Sequence, residues 1–426
     1  MRWMNYFGIL LLLVALAGTP ARSAAEEEKY QSLKEFSQII DLIESSYVKD
    51  VDREELIEGA IQGMLKNLDP HSAYLDQDAF KEMQSETSGE FSGVGIEITL
   101  QNNQLTVVSP IEDTPAFEAG LQAGDIILEI DGESTQDISI MDAVSKIRGS
   151  KGSEVELTIL SEGENSPETV TIKRDVIPVH SVKTQMLEKG YLYVRITNFN
   201  DRTTQELEEA VQDVQDLQGL VLDLRNNPGG VLDQAVSVAD MFLEEGKIVY
   251  TKGKMEKAQM SFSAKDQELD LKTPMAVLIN SGTASGSEIV AGALQDHKRA
   301  LIVGEQSFGK GSVQTVIPLT DGSGIKLTTA RYYTPRDRSI QAEGIEPDLE
   351  VPFIPPGDLE QEESARHPFQ VLREKDLEGH LDNGDLQEQD LSPEQDEEAR
   401  KMLSRDNQLL MALQLVKSLP VIKQLQ

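Results

Sequence analysis

Two short segments carry side chains whose types and spacing could do chemistry. The first, Asn280-Ser-Gly-Thr-Ala-Ser-Gly-Ser-Glu288, follows an apolar strand from Ala276 to Ile279 and opens a helix reaching about Leu294. A serine at that junction, Ser285, would stand at a helix N-terminus, where unpaired N–H groups and the positive dipole end favour developing negative charge. Serine is also a good helix cap, and on this segment alone the cap is the stronger reading. The second segment, Gly304-Glu-Gln-Ser-Phe-Gly-Lys-Gly-Ser-Val-Gln314, admits two functions. Gly304 to Lys310 fits the first part of a phosphate-binding loop, but Gly311 stands where Ser or Thr is required, and Val313 to Leu319 reads as a strand where such a loop opens a helix. Lys310 is better explained as a base. A lysine deprotonates serine only when neutral, so it needs a site that disfavours ammonium, and burial supplies one.

Composition removes most rival chemistries. The absence of cysteine excludes disulfides, thiolate metal sites, iron–sulfur clusters and a cysteine nucleophile. The histidines, at positions 71, 180, 297, 367 and 380, lack the paired spacing of a helical zinc site, so no metal and no cofactor is expected. No G-x-S-x-G occurs, and no histidine and aspartate stand ready to serve a serine; His71, in a turn after Asp-Pro, reads as structural. With 74 acidic against 39 basic residues the formal net charge is -35, which repels phosphate backbones and argues against nucleic acid as a partner.

These segments need a scaffold, and 426 residues suffice for about two to three domains. Arg2, the apolar run Phe7 to Ala17, then Gly18, Pro20 and Ala21-Arg-Ser23 read as a cleavable secretory signal over residues 1–23. The run is shorter than the roughly 20 residues that span a bilayer, so the expected product is exported and soluble, in the periplasm or cell envelope. A helical module over residues 26–90 is predicted from Phe36, Ile39, Ile40, Ile43 and Tyr47, then from Leu56, Ala60, Ile61, Met64 and Leu65 after the acidic starts Asp52 and Glu54. A turn at Asn67-Leu-Asp-Pro70 leads to a short helical stretch near Asp76 to Gln84.

From Glu90 the pattern turns to β. Phe91-Ser-Gly-Val-Gly-Ile-Glu-Ile98 and Pro115-Ala-Phe-Glu-Ala-Gly-Leu-Gln-Ala-Gly-Asp-Ile-Ile-Leu-Glu-Ile-Asp-Gly-Glu133 resemble a PDZ domain, spanning residues 91–176. In that likeness the N–H groups around Gly93, Val94 and Gly95 converge on a peptide's terminal carboxylate, and the strand from Ile96 pairs with the peptide. The helix Ile138 to Arg148, with Met141, Val144 and Ile147 on one stripe, walls the groove. Strand and helix then alternate from Gly190 to about Pro352, which predicts an α/β layer in a core over residues 177–356. Its expected strands are Tyr191 to Ile196, Gly219 to Leu224, Ala276 to Ile279 and Ala300 to Val303; a helix from Leu232 to about Leu243 follows Asn226-Asn-Pro-Gly-Gly230, and Thr203 with Glu206 has capping-box spacing. Between Glu374 and Glu398 eleven acidic residues meet one basic residue, Lys375, as in a solvated linker over residues 357–398. In residues 399–426, Met402, Leu403, Leu410, Leu413 and Val416 make an apolar helical face that Pro420 closes and that must pack on the chain's own core or on a second subunit.

Leu68-Asp-Pro-His-Ser-Ala-Tyr-Leu75, the PDZ stretch, Leu222-Asp-Leu-Arg-Asn-Asn-Pro-Gly-Gly230, the Asn280 to Glu288 segment and Gly309-Lys-Gly-Ser-Val-Gln314 together closely resemble the carboxy-terminal processing peptidases, or tail-specific proteases. The likeness covers about residues 34–353 and implies an ATP-independent serine endopeptidase with a Ser-Lys pair. It implies an α/β protease core of crotonase-like or ClpP-like type, an inserted PDZ domain and helical terminal segments. By the same likeness Ser285 is the nucleophile, Lys310 the general base and Gln314 the residue that orients the lysine. Where the family usually reads Ser-Ala-Ser-Ala-Ser-Glu, this chain reads Thr283-Ala-Ser-Gly-Ser-Glu288. The oxyanion would take the N–H of Gly286 and one from the Gly229–Gly230 loop. The resemblance further implies that the PDZ domain recognises apolar C-termini of protein or peptide substrates and repositions to complete the site. Arg148 would couple that sensing to the core, or else merely complement a helix end. A homodimer or larger homo-oligomer built through terminal helices is expected, and a membrane-tethered adaptor is a partner that some family members use. The alternatives are a catalytically silent PDZ scaffold, which has no need of Ser285, Lys310 and Gln314 together, and more remotely an acyl-CoA enzyme of the crotonase type.

Overall fold

The computed structural model describes residues 21–161, 164, 166–265, 272–355 and 392–424. The apolar run of the expected signal and residues 357–391 of the expected acidic linker lie outside the described residues. The chain divides into two compact units, Met1–Asp76 with Thr315–Thr328, and Gln77–Gln314 with Thr329–Gln426.

In the first unit, α1 (Ala21–Ser46) and α2 (Arg53–Lys66) precede a short strand, β1 (Ala73–Leu75). Asp52 caps α2, its carboxylate accepting the N–H of Glu54 at 2.7 Å. Of the expected apolar stripe, Ile40 on α1 is buried, whereas Phe36 and Ile39 on α1 and Tyr47 just after it stay exposed. The Leu68 to Leu75 motif is a turn organised by Asp69. Its carboxylate accepts from His71 N at 2.8 Å, Ser72 N at 2.9 Å, Ser72 Oγ at 2.8 Å and Thr328 Oγ1 at 3.1 Å. β1 pairs antiparallel with Gly324 to Lys326.

The second unit opens with α3 (Gln77–Ser88) and a β domain. Its elements are β2 (Glu90–Gly93), β3 (Ile96–Gln101), β4 (Gln104–Pro110), α4 (Pro115–Glu118), β5 (Ile126–Ile130), β6 (Glu133–Ser134), α5 (Ile140–Ile147), β7 (Glu154–Leu160), β8 (Glu168–Lys173) and β9 (Asp175–Pro178). The main path of the sheet runs β3-β4-β5-β7-β8, which leaves β3 at an edge. Buried residues of these strands, among them Leu105, Ile127, Ile130, Leu157 and Ile172, form one core with Ala143 and Ile147 of α5. β2 and β9 pair antiparallel as a stem where the chain enters and leaves this domain.

The α/β core follows: β10 (Val182–Glu188), β11 (Tyr191–Ile196), α6 (Thr203–Gln212), β12 (Gly219–Asp223), α7 (Leu232–Asp240), β13 (Lys247–Gly253), β14 (Ser261–Ser263), β15 (Met275–Ile279), α8 (Gly286–Asp296), β16 (Leu301–Gly304), β17 (Ser312–Pro318), β18 (Gly324–Tyr333), β19 (Leu349–Glu350), α9 (Pro393–Arg405) and α10 (Asn407–Gln424). The central sheet has the order β10-β11-β12-β15-β16-β19 and is parallel apart from β10. β12 and β15 are buried at every residue, which is why both read as apolar runs apart from Asp223 at the end of β12. One face, with Leu220, Leu222, Val277 and Ile279, packs on α7 and α8 through Val238, Ile289 and Val290. The other, with Tyr193, Val221, Ala276 and Leu278, is covered by Leu409, Ala412, Leu413 and Val416 of α10. The terminal apolar face thus docks on the chain's own core. A buried Arg225 ties that helix down, donating to Asp406 at 2.6 Å, to Gln408 at 2.8 Å and to Asp223 at 2.6 Å.

Two local expectations are corrected. Thr203 does not head a capping box: the cap position is Arg202, and the Glu206 carboxylate turns instead to Ser181 N at 2.8 Å and Val182 N at 3.1 Å, a tertiary use that satisfies two strand-entry donors. Pro420 does not close the last helix, which runs on one further turn to Gln424; near a helix end a proline removes little more than one hydrogen bond.

Candidate active site

The junction of β15 and α8 is wired to the loop after β12. Thr283 Oγ1 donates to Leu224 O at 2.8 Å, Ala284 N to Asn227 O at 2.9 Å and Ser287 Oγ to the same carbonyl at 3.0 Å. Asn226 and Asn280 close the entrance, Asn226 N donating to Asn280 Oδ1 at 2.9 Å and Asn280 Nδ2 to Asn226 Oδ1 at 3.0 Å. Ser285 then sits at the cap position of α8 with φ 55° and ψ -114°. An ordinary cap residue is extended. A non-glycine residue in this region is strained, and a sharp strand-to-helix turn of that kind displays the side chain of a nucleophile.

What holds Ser285 there is Glu288, fully buried three residues into the same turn. Its Oε2 accepts Ser285 N–H at 2.8 Å and Lys310 N–H at 2.9 Å, while Oε1 accepts Ser307 Oγ at 2.5 Å and Gly309 N–H at 2.7 Å. One carboxylate therefore fixes the backbones of Ser285 and Lys310 against each other. Burial pushes the Glu288 carboxyl above its ordinary range, with these four hydrogen bonds opposing the rise. Ser285 and Lys310 are both half-buried. The glycines flanking Lys310 are demanded by close packing: a Cβ on Gly311 would lie 2.3 Å from Gln341 N, and Gly309, at φ 89°, would meet Ala342 and Gly344 backbone at 3.2 Å.

The loop from Asn226 to Gly230 borders Ser285 on the other side. A Cβ on Gly229 would fall 2.8 Å from Ser285 Cβ and 2.9 Å from Gly286 N, so these backbones pack closely against each other. In this conformation Gly229 N–H donates to Asn227 Oδ1 at 2.9 Å. Gln314, on β17, donates through Nε2 to Ser312 Oγ at 2.8 Å.

In the β domain, β3 stands at an end of the sheet path. The Val94 carbonyl is taken by Ala116 N at 2.8 Å and the Gly95 carbonyl by Ile111 N at 2.9 Å. Gly95 has φ 83°, and a Cβ there would lie 2.4 Å from Thr114. Ile96 starts the edge strand and Val144 is half-buried on α5, while Gly93 ends β2 in register with Asp175. Arg148, at the end of α5, lies 3.7 Å from Glu82 and 5.1 Å over the Phe91 ring. Among the described residues no cluster of His, Cys, Asp or Glu could hold a metal ion, and no helix is long and apolar enough to cross a membrane.

Sequence reasoning singled out Ser285, Lys310, Gly286, Gly229 and Gly230 but gave Glu288, Asn227 and Asn280 no role. Only the glutamate left a signal, its capping-box spacing from Ser285.

Residues 190–351 match peptidase family S41, residues 106–161 a PDZ domain, and residues 14–79 the N-terminal domain of the activating protease CtpB. The carboxy-terminal-processing protease of Bartonella bacilliformis is 47% identical over 362 residues, covering 84% of this chain and 82% of that one. The carboxyl-terminal-processing protease of Synechocystis is 38% identical, covering 83% of this chain and 88% of that one. Among solved structures, a photosystem II D1 C-terminal processing protease is 34% identical with a TM-score of 0.43, covering 72% of this chain and 84% of that one. With 47% identity to the Bartonella protein over more than four-fifths of both chains, the protein belongs to the carboxy-terminal processing proteases, PDZ-bearing serine peptidases of family S41.

Proposed function

We propose that the chain is an exported, ATP-independent endopeptidase that recognises apolar protein C-termini through its PDZ domain and cleaves with Ser285 and Lys310. The observation that carries the reading is the Glu288 carboxylate, which accepts the N–H groups of both residues at 2.8 and 2.9 Å and so joins a strained serine to a lysine from a separate segment. Neutral Lys310 takes the Oγ proton as Ser285 attacks the scissile carbonyl; the lysinium then protonates the leaving amine, which departs and leaves the acyl-enzyme. Lys310 next deprotonates a water that attacks the ester, and its proton returns to Ser285 as the acid product leaves. The oxyanion receives Gly286 N–H and a donor from the Gly229–Gly230 loop; losing one such donor typically costs about 3 to 4 kcal/mol of transition-state stabilisation. A peptide extending the sheet at the edge of β3 would place its carboxylate at the Gly93 to Gly95 turn, where the Val94 and Gly95 carbonyls are already engaged elsewhere. Export is inferred from the Arg2 to Ser23 pattern.

The test is cleavage of an unstructured protein with a free apolar C-terminus by the unmodified chain beside folded Ser285→Ala and Lys310→Ala proteins. Cleavage by the unmodified chain alone is expected. Equal cleavage by all three would discard the mechanism, and no cleavage by any would favour a peptide-binding scaffold.

A further inference from the structure

We propose that Phe308 is a specificity residue: its ring receives an apolar side chain on the first residue of the leaving part of the substrate, so that the chain cleaves ahead of apolar residues. The inference rests on the protease reading above and names the substrate class of the same site.

The loop from Gly304 to Gly311 is held almost residue by residue. Glu305 N–H donates to Ile279 O at 3.0 Å, Ser307 N–H to Ile345 O at 3.1 Å and Phe308 N–H to Thr283 O at 3.0 Å. Buried Ser307 also accepts Ile345 N–H at 2.7 Å through its hydroxyl. The Glu288 carboxylate takes the N–H groups of Gly309 and Lys310, and Gly309 O accepts Ala342 N–H at 2.8 Å. A Cβ on Gly309 or Gly311 would run into the backbone of Ile340 to Gly344, which closes that flank of the loop. Between buried Ser307 and buried Gly309, Phe308 is turned outward and 63% exposed.

Single apolar residues are common on protein surfaces and need no account of their own. This one stands on a backbone pinned on both sides, two residues before the base Lys310, and is bonded to Thr283, two residues before the nucleophile Ser285. The chemistry then decides which part of the substrate lies nearest. Lys310 has to come within about 2.6 to 3.2 Å of the leaving nitrogen to protonate it, whereas the oxyanion is taken by donors of other segments, Gly286 and the Gly229–Gly230 loop. The side chain closest to the Lys310 loop is therefore that of the residue which owns the leaving nitrogen. Laying an apolar side chain on the ring removes apolar surface of both partners from water, a gain that a polar side chain lacks.

The experiment uses two unstructured reporter peptides with the same free apolar C-terminus, carrying leucine or serine directly after the cleaved bond, which mass spectrometry locates. A second pair makes the same exchange directly before the bond. The unmodified chain should prefer leucine after the bond by about 10-fold to 200-fold in kcat/KM. Phe308→Ser should bring that ratio close to one through loss on the leucine peptide, while Phe308→Leu keeps most of it. Because the ring is exposed, both variants should melt with the unmodified chain. No preference in the unmodified chain, a preference retained in Phe308→Ser, an equal loss on both peptides or a change confined to the second pair each overturns the inference and leaves the protease reading standing. An unmodified chain that cleaves none of the peptides overturns that reading, and the inference falls with it.

Discussion

Replacing Glu288 separates what its charge does from what its shape does. Glutamine keeps one oxygen. If the amide nitrogen takes the Oε1 position, Ser307 Oγ, which already accepts Ile345 N–H, can accept from it, but its own hydroxyl proton and Gly309 N–H both lose their acceptor, while the oxygen continues to serve Ser285 and Lys310. At about 1 to 3 kcal/mol for each buried donor left unpaired, Glu288→Gln should melt lower by several degrees and keep kcat within about tenfold. Alanine strands all four donors. At the same cost per group that is about 4 to 12 kcal/mol before water relieves any of it, a large part of a domain's stability, and Ser285 and Lys310 are no longer pinned together. A fall in kcat of at least about a hundredfold is expected from the loss of some 3 kcal/mol of alignment. The pH dependence follows the same group. Because burial raises the folded carboxyl above its unfolded value, the folded state binds the extra proton; its stabilising share is complete below the unfolded pKa and is lost as pH rises through the folded one. Glu288→Gln should lack that decline. Thermal melts across pH and steady-state kinetics measure both effects. Unchanged kcat in Glu288→Ala, or equal damage from both substitutions, would refute the idea that this carboxylate aligns the pair.

In Gly95→Ala the new Cβ meets Thr114 at 2.4 Å and the residue must hold φ 83°, so affinity for an apolar C-terminal peptide should fall about tenfold or more in fluorescence anisotropy; unchanged affinity would place the peptide elsewhere. Partial burial pushes the Asp69 carboxyl up, but hydrogen bonds from Ser72, His71 and Thr328 bring it below its ordinary value. Its stabilising share is therefore present above the unfolded pKa and lost as pH falls through the folded one, and melting of Asp69→Asn should be less acid-sensitive; identical acid profiles would count against this. Asp406→Ala removes two oxygens from Arg225 but leaves Asp223 and Gln408, so a loss of about 1 to 3 kcal/mol in denaturant unfolding is expected, and an unshifted midpoint would show that the contact contributes nothing.

What could be read from the sequence was what is local. The runs that became β12 and β15, the glycine turns of the PDZ domain and the serine before α8 each have a cause within a few residues of themselves. Long-range causes were illegible. Glu288 was given no role because its partners Ser307, Gly309 and Lys310 come from another segment, and Glu206, read by its spacing as part of a capping box, serves Ser181 and Val182 rather than its own helix. β13, β14 and β18 have too few apolar residues in period to announce themselves, being held by one another. Whether the last helix packed at home was undecidable from its stripe alone; the answer lay in the empty sheet face of Tyr193, Val221 and Leu278, and in Arg225, to which Asp406 and Gln408 return.

The central claim is that Ser285 is the atom source of the acyl bond. Incubating the chain with a peptidyl phosphonate ester and locating the adduct by tandem mass spectrometry tests this directly. The account predicts a single modification on Ser285, within the tryptic peptide from Thr273 to Lys298, that is lost in Lys310→Ala. A modification on Ser281, on Ser287 or outside that peptide, in a chain that still cleaves its substrate, would contradict it.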